Sequence, residues 1–376
     1  MIYDAEAGVF KAWHQGTDVT SEQWWATGYA VSADGVHWDK PRLGLHAHRG
    51  SLDNNVVYPG WGPVIKDVDD RDPARRYKLV ANGPPRPGEI RLVTSPDGLH
   101  WTEGPRIQLP AWGQPARDIV VIMRDNADPE PNHRYKLVWQ ALEAATRPGP
   151  EQVRTKHLAW GPDLEHLVSA QAGPILSPND GLEQENHFLT LERAGAHYVM
   201  CYEYGWYIPN GYGAFGQYAA DIRLAVSRDA LRFTRVQPHQ TAIPLGPHGA
   251  FDSHILVIAH RPVIKDDTIH LYYGAAGADW MGWPPRFNRP ARYQHVSTGS
   301  TRLSRLGLAT LPIDGFTHLR TVDGATPGCF VTLPIERAAR DLELYANLDQ
   351  TLPKRDWIEV EVLEADRDVP VPGYGR

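Results

Sequence analysis

Four short apolar runs in this 376-residue chain each open on at least one carboxylate. They read Leu52-Asp53-Asn54-Asn55-Val56, Ala116-Arg117-Asp118-Ile119, Leu182-Glu183-Gln184-Glu185-Asn186-His187-Phe188 and Phe251-Asp252-Ser253-His254-Ile255. Asp, Asn and Ser are ordinary residues at the start of a strand, so one such case means little. Four of them, joined by Arg117, His187 and His254, point to chemistry. Carboxylates gathered at one place raise one another's pKa by repulsion, while a neighbouring Arg holds another ionised. That separation is what a paired acid and base require. Asp53, Asp118, Glu185 and Glu183 are the candidates for this work. Asn54, Asn55, Arg117, His187, Asp252 and His254 would line the same place.

Aromatic residues crowd two long insertions, Gly205–Asp221 and Ala275–Arg302. Trp206, Tyr207, Tyr212, Phe215 and Tyr218 lie in the first, Trp280 and Trp283 in the second, and Trp61 and Trp112 lie near the first two carboxylate runs. Aromatic faces beside carboxylates suit a small sugar or oligosaccharide, whose C–H faces are apolar while its hydroxyls need polar partners. Many of the 13 tryptophans must nevertheless be core. No cofactor is expected. His254 is the one candidate for holding a cation, although a lone histidine on an inner strand is more often a hydrogen-bonded core residue.

A repeat supplies the elements that must position these residues. An alternating strand, an Asp-Gly or its relic, and an aromatic recur at Ser32–Trp38, Ser95–Trp101, Leu158–Asp163, Ser227–Phe233 and Leu308–Phe316. Asp-Gly between alternating runs is a hairpin signal, because both residues tolerate a tight turn's positive φ. Upstream of each copy stands another strand: Val9–Trp13, Tyr77–Val80, Tyr135–Trp139, His197–Tyr202 and Ile269–Gly274. Before all but the first comes a further apolar run: Val56-Val57, Ile119–Met123, Phe188–Leu191 and Ile255–Ile258. Four strands per unit, repeated in a ring, describe a β-propeller blade. The expected fold is all-β, a five-bladed β-propeller over residues 1–320 with a short C-terminal β-sandwich-like appendage over residues 321–376. Blade one reads as incomplete, since only Met1–Asp4 stands where its inner strand belongs. A gap there would favour cover by the tail or by a second copy in a homodimer. Alternation of antiparallel strands puts the Asp-Gly turns on a lower face. The aromatic insertions and the carboxylate-bearing strand starts then share the upper face.

Composition narrows the alternatives. Lys and Arg number 38 against 45 Asp and Glu, so there is no basic footprint for nucleic acid. No run of about 18 apolar residues offers a membrane span. Two cysteines make a disulfide framework or a cysteine zinc site improbable. No leader is visible, and a cytoplasmic location is expected.

The motifs resemble those of the five-bladed propeller glycoside hydrolases of families 32, 43, 68 and 117, and more closely the bacterial family-32-like proteins. The resemblance rests on Tyr3 to Trp13 (Tyr-Asp-x-x-x-x-x-Phe-Lys-x-Trp), on Arg76-Tyr77-Lys78 and Arg134-Tyr135-Lys136, on Ser32–Trp38 and Ser95–Trp101, and on Asp266–Gly274. It implies hydrolysis of a glycosidic bond. By order along the blades it makes Asp53 the base or nucleophile, Asp118 the second Asp, and Glu185 the acid, with Glu183 a competitor. The chain departs from family 32 in lacking Trp-Met-Asn-Asp-Pro-Asn and the Glu-Cys acid motif. Arg71-Asp72-Pro73 matches by letters, yet its repeat partner Ala127-Asp128-Pro129 makes it a turn. A non-catalytic carbohydrate-binding propeller and a sialidase-like hydrolase remain open readings.

Overall fold

The computed structural model describes residues 1–18, 24–83, 89–109, 118–145, 152–178, 182–208, 217–277 and 305–319, and scattered positions from 326 to 375. Its contacts divide it into two units, Met1–Ile313 and Asp314–Arg376. Twenty strands fill the first unit, with two three-residue 3-10 turns among the described residues.

Blade one is β1 (Ile2–Asp4), β2 (Val9–Asp18) and β3 (Trp24–Ser32), edged by β4 (Val56–Tyr58). Blade two is β5 (Val64–Lys66), β6 (Tyr77–Ala81), β7 (Arg91–Ser95) and β8 (Thr102–Arg106). Blade three is β9 (Asp118–Arg124), β10 (Tyr135–Ala144), β11 (Gln152–Gly161) and β12 (Val168–Ser169). Blade four is β13 (Glu192–Ala194), β14 (His197–Ile208), β15 (Gln217–Ser227) and β16 (Thr234–Arg235). Blade five places β17 (Ile255–Ile258) and β18 (Val263–Lys265) along one edge of β19 (Thr268–Ala276), with β20 (Arg305–Pro312) on the other. Blades four and five form one continuous sheet through a parallel pairing of Ala220 with Ile255. The fold is a five-bladed all-β propeller.

One strand assignment needs correction. Val56–Tyr58 pairs with Thr27 and Gly28 of β3, at the outer edge of blade one. The inner strand of blade two is β5, approached through a Trp61–Asn82 bridge. Two apolar runs stand close together here, and periodicity alone cannot choose between them. Gly62 marks the true crossing, because a Cβ there would lie 1.9 Å from the Val80 carbonyl oxygen. Blade one does possess an inner strand, the short β1.

Period-two alternation sends the faces of each blade into two different cores. In blade three, Val121, Val138 and Leu158 pack with Met200 and Tyr202 of blade four. Ile119, Leu137, Trp139 and Ala159 face the other way, onto Ile65, Val80 and Leu92 of blade two.

The tyrosines of the two Arg-Tyr-Lys copies, and Tyr198 at the matching place in blade four, prove to be latches between blades. Tyr77 donates to Asp4 at 2.9 Å, Tyr198 donates to Asp125 at 2.5 Å, and Tyr135 donates to Asp67. Each tyrosine stands at or next to the start of the second strand of one blade and reaches the end of the first strand of the preceding blade. A lysine on each side completes the first latch, with Lys11 and Lys66 both 2.6 Å from Asp4. Lys78 and Arg124 serve Asp67, and Lys136 and Arg193 serve Asp125. Asp72 caps the 3-10 turn Pro73–Arg75 by accepting from the Ala74 amide. Arg71-Asp72-Pro73 is thus a turn.

Candidate active site

The upper end of blade three carries a row of polar side chains. Asp118 on β9 stands opposite Gln140 on β10, and Gln140 stands opposite Lys156 on β11. Directly paired residues share a face. Two residues further along, Arg154 stands opposite Leu142 on that same face. The face is the one that Val138 and Leu158 turn to blade four, so four polar side chains look across at the top of the blade-four inner strand.

Glu185 meets them there. It accepts from the Arg154 guanidinium at 2.8 Å, the Arg154 amide at 3.0 Å and the Asn186 amide at 3.1 Å, and it is 1% exposed. Its backbone bridges Gly205 of β14. Lys156 is fully buried and donates to the Asn186 carbonyl at 3.0 Å and to Asn186 Oδ1 at 2.5 Å. Burial pulls the Lys156 amine down to about 7, against the attraction of Glu185, Glu203 and Asp118. Asp118 is half-buried and accepts from Gln140 Nε2 at 2.7 Å.

A second group lies one residue along blade four. His187 Nδ1 is 2.9 Å from Glu203 and 3.0 Å from the Tyr218 hydroxyl, and Tyr218 donates to Glu203. Burial and the Glu203 charge push Tyr218 well above the ordinary phenol range. Gly205 makes this approach feasible, since a Cβ there would sit 2.2 Å from the Tyr218 hydroxyl. Half-buried Trp206 and Tyr207 end the same strand, with the Tyr207 ring 5.4 Å from that of Tyr218.

The remaining expected residues are dispersed. Asp53 is exposed and paired with Arg42 at 2.9 Å, on the connection that leads into β4 rather than on an inner strand. Asn54 closes that connection by donating to the His46 and Ser51 carbonyls, and Asn55 donates to the Tyr29 carbonyl. Glu183 is buried and paired with Arg235 at 2.9 Å. Asp252 accepts from Tyr273 at 3.3 Å, and His254 joins blades four and five through its backbone. Arg117, Trp112, Tyr212, Phe215, Trp280 and Trp283 lie outside the described residues. No cluster of three His, Cys, Asp or Glu side chains suited to a metal occurs among the described residues.

Gln140, Arg154, Lys156 and Glu203 escape the sequence reading because they sit inside strands rather than at their starts. A signal was available: Val153-Arg-Thr-Lys-His-Leu puts Arg and Lys at positions that should alternate inward.

No protein-family model and no curated protein matches the sequence. A solved structure named a glycoside hydrolase superposes with TM-score 0.50 at 13% identity, covering 80% of this chain and 82% of that one. A structure from work on family 130 mannoside phosphorylases and hydrolases that target β-1,2 mannosidic linkages in Candida mannan gives 0.49 at 14% identity, over 83% of each chain. The Bombyx mori family 32 β-fructofuranosidase gives 0.49 at 13% identity, over 84% of this chain and 60% of that one. The likeness is one of fold, to propeller glycoside hydrolases.

Proposed function

We propose that this protein cleaves a glycosidic bond in a small sugar or oligosaccharide, with Asp118 as the carboxylate that works on the substrate. The observation that carries this reading is the cross-strand row of Asp118, Gln140 and Lys156 on blade three, with Arg154 of the same face reaching Glu185 on blade four. Asp118 is half-buried, whereas Glu185 and Glu203 are sealed in. Trp206 and Tyr207 offer the apolar face that a sugar ring stacks on. The propeller shared with a glycoside hydrolase supports the same reading.

The test is turnover of an aryl-glycoside panel by wild type and Asp118→Asn, with sugar binding followed in parallel. Asp118→Asn should lower kcat by about 10²–10⁴-fold, the usual worth of a proton-transfer group, and leave binding within a few-fold. Wild-type turnover in the variant would remove Asp118 from the chemistry. Sugar binding by a wild type that turns over nothing would make the protein a carbohydrate-binding propeller.

A further inference from the structure

Two buried polar atoms beside Lys156 have no hydrogen-bond partner among the described residues: Gln140 Oε1, an acceptor, and Asn186 Nδ2, a donor. Gln140 is 4% exposed and Asn186 is 0% exposed, so water does not reach them freely. Buried groups of this kind are paired in nearly all native proteins. The other half of each amide is engaged: Gln140 Nε2 donates to Asp118, and Asn186 Oδ1 accepts from Lys156. Gln140 is also the direct cross-strand neighbour of Lys156. One spare acceptor and one spare donor therefore belong to the two amides that neighbour a single buried amine. They are chemically complementary.

We propose that Gln140 Oε1 and Asn186 Nδ2 are joined through one buried water, which accepts from Asn186 and donates to Gln140, into a relay that runs Lys156–Asn186–Gln140–Asp118 and positions the Asp118 carboxylate. Its part in turnover rests on the glycosidase reading; the relay itself does not. The groups acting on Lys156 are Glu185, Glu203 and Asp118, which favour its charge, and Arg154, which opposes it. Because burial brings its proton affinity close to neutrality, the charge at one end of the relay turns over in an accessible range. Raising the pH through about 7 removes a positive charge beside three carboxylates, and Asp118 registers the change.

The experiment follows the Asp118 carboxyl carbon by NMR across pH 4–9, in free wild type, Lys156→Met and Gln140→Met. Wild type should show a second inflection near pH 7 that vanishes in Lys156→Met. Gln140→Met keeps the lysine and a similar volume, so it guards against loss of folding; in it the inflection should shrink by at least half. An undiminished inflection in Gln140→Met would mean action through space alone and overturn the relay, as would no inflection in wild type. With an aryl glycoside, Gln140→Met should lose about tenfold to a hundredfold in kcat from misplacement of Asp118, with KM within twofold. Coupling seen by NMR without turnover would leave the relay standing and sink the glycosidase reading alone.

Discussion

Single residues in this molecule carry charge into places that exclude water, and the sequence around them decides whether that is tolerable. Burial works to raise the Asp4 carboxyl, yet hydrogen bonds from Lys11, Lys66 and Tyr77 hold it well below the usual carboxylate range. Asp125 is likewise lowered, burial being outweighed by Tyr198, Lys136 and Arg193. A depressed folded pKa contributes stability that is present above the unfolded value of about 3.9 and is lost as pH falls through the folded value. Melting temperature should therefore hold from pH 7 to about 4 and fall steeply below it. Asp4→Asn should melt lower at pH 7 and show a shallower acid slope, as thermal scans at stepped pH would register. An unchanged acid slope in Asp4→Asn would remove the first latch from the account. Lys136 shows the same economy from the basic side: it is 1% exposed and shared by Asp125 and Asp128.

Strands and turns place these residues, and much of that placement could be read in advance. The Ser-x-Asp-Gly turns declare the blades because their side chains organise the backbone. Asp97 Oδ1 accepts from the Leu99 and His100 amides, and Ser95 Oγ accepts from the Gly98 amide. Gly98 has φ +80, and a Cβ there would come within 2.5 Å of the Trp13 ring, whose indole donates to the Gly98 carbonyl at 2.7 Å. Gly98→Ala should cost about 2 kcal/mol or more, from left-handed backbone strain and displacement of Trp13. Denaturant titration would measure it, and a loss of under half that would show that the turn relaxes. The inner strands were less legible. Asp118 stands at the top of β9, and Glu185 on the bridged stretch that leads into β13, because Ile119–Met123 and Leu189–Leu191 are single apolar runs with no rival nearby. Asp53 reaches no inner strand, because Val56–Tyr58 competes with Val64-Ile65 for the same role and β3 captures it. Lys156 and Glu203 were hidden for a different reason: burial of a charge inside a strand is decided by the neighbouring blade, which local periodicity does not encode.

Across the whole propeller, neighbouring blades are joined in three different ways. Tyrosine latches on Asp4, Asp67 and Asp125 bind blades one to two, two to three and three to four. Backbone pairing fuses blades four and five. Between blades five and one the position of the latch tyrosine holds Phe10, which has no hydroxyl and packs with Val263 and Tyr272. Tyr272 donates to the Gly35 carbonyl at 2.8 Å, and its ring meets Trp38 edge-on at 5.8 Å. Tyr272→Phe should cost about 1 kcal/mol and speed amide exchange at Gly35 and along β18 before other blades respond. Uniform exchange across all blades would contradict this. Joints this unequal should make the ring unevenly stiff, with blades four and five tied by backbone pairing and the joint between blades five and one resting on an aromatic clasp. The Asp118 row faces the near edge of that tied pair, two blades away from the clasp. Opening at the clasp should then leave the hydrogen bond between Gln140 and Asp118 undisturbed.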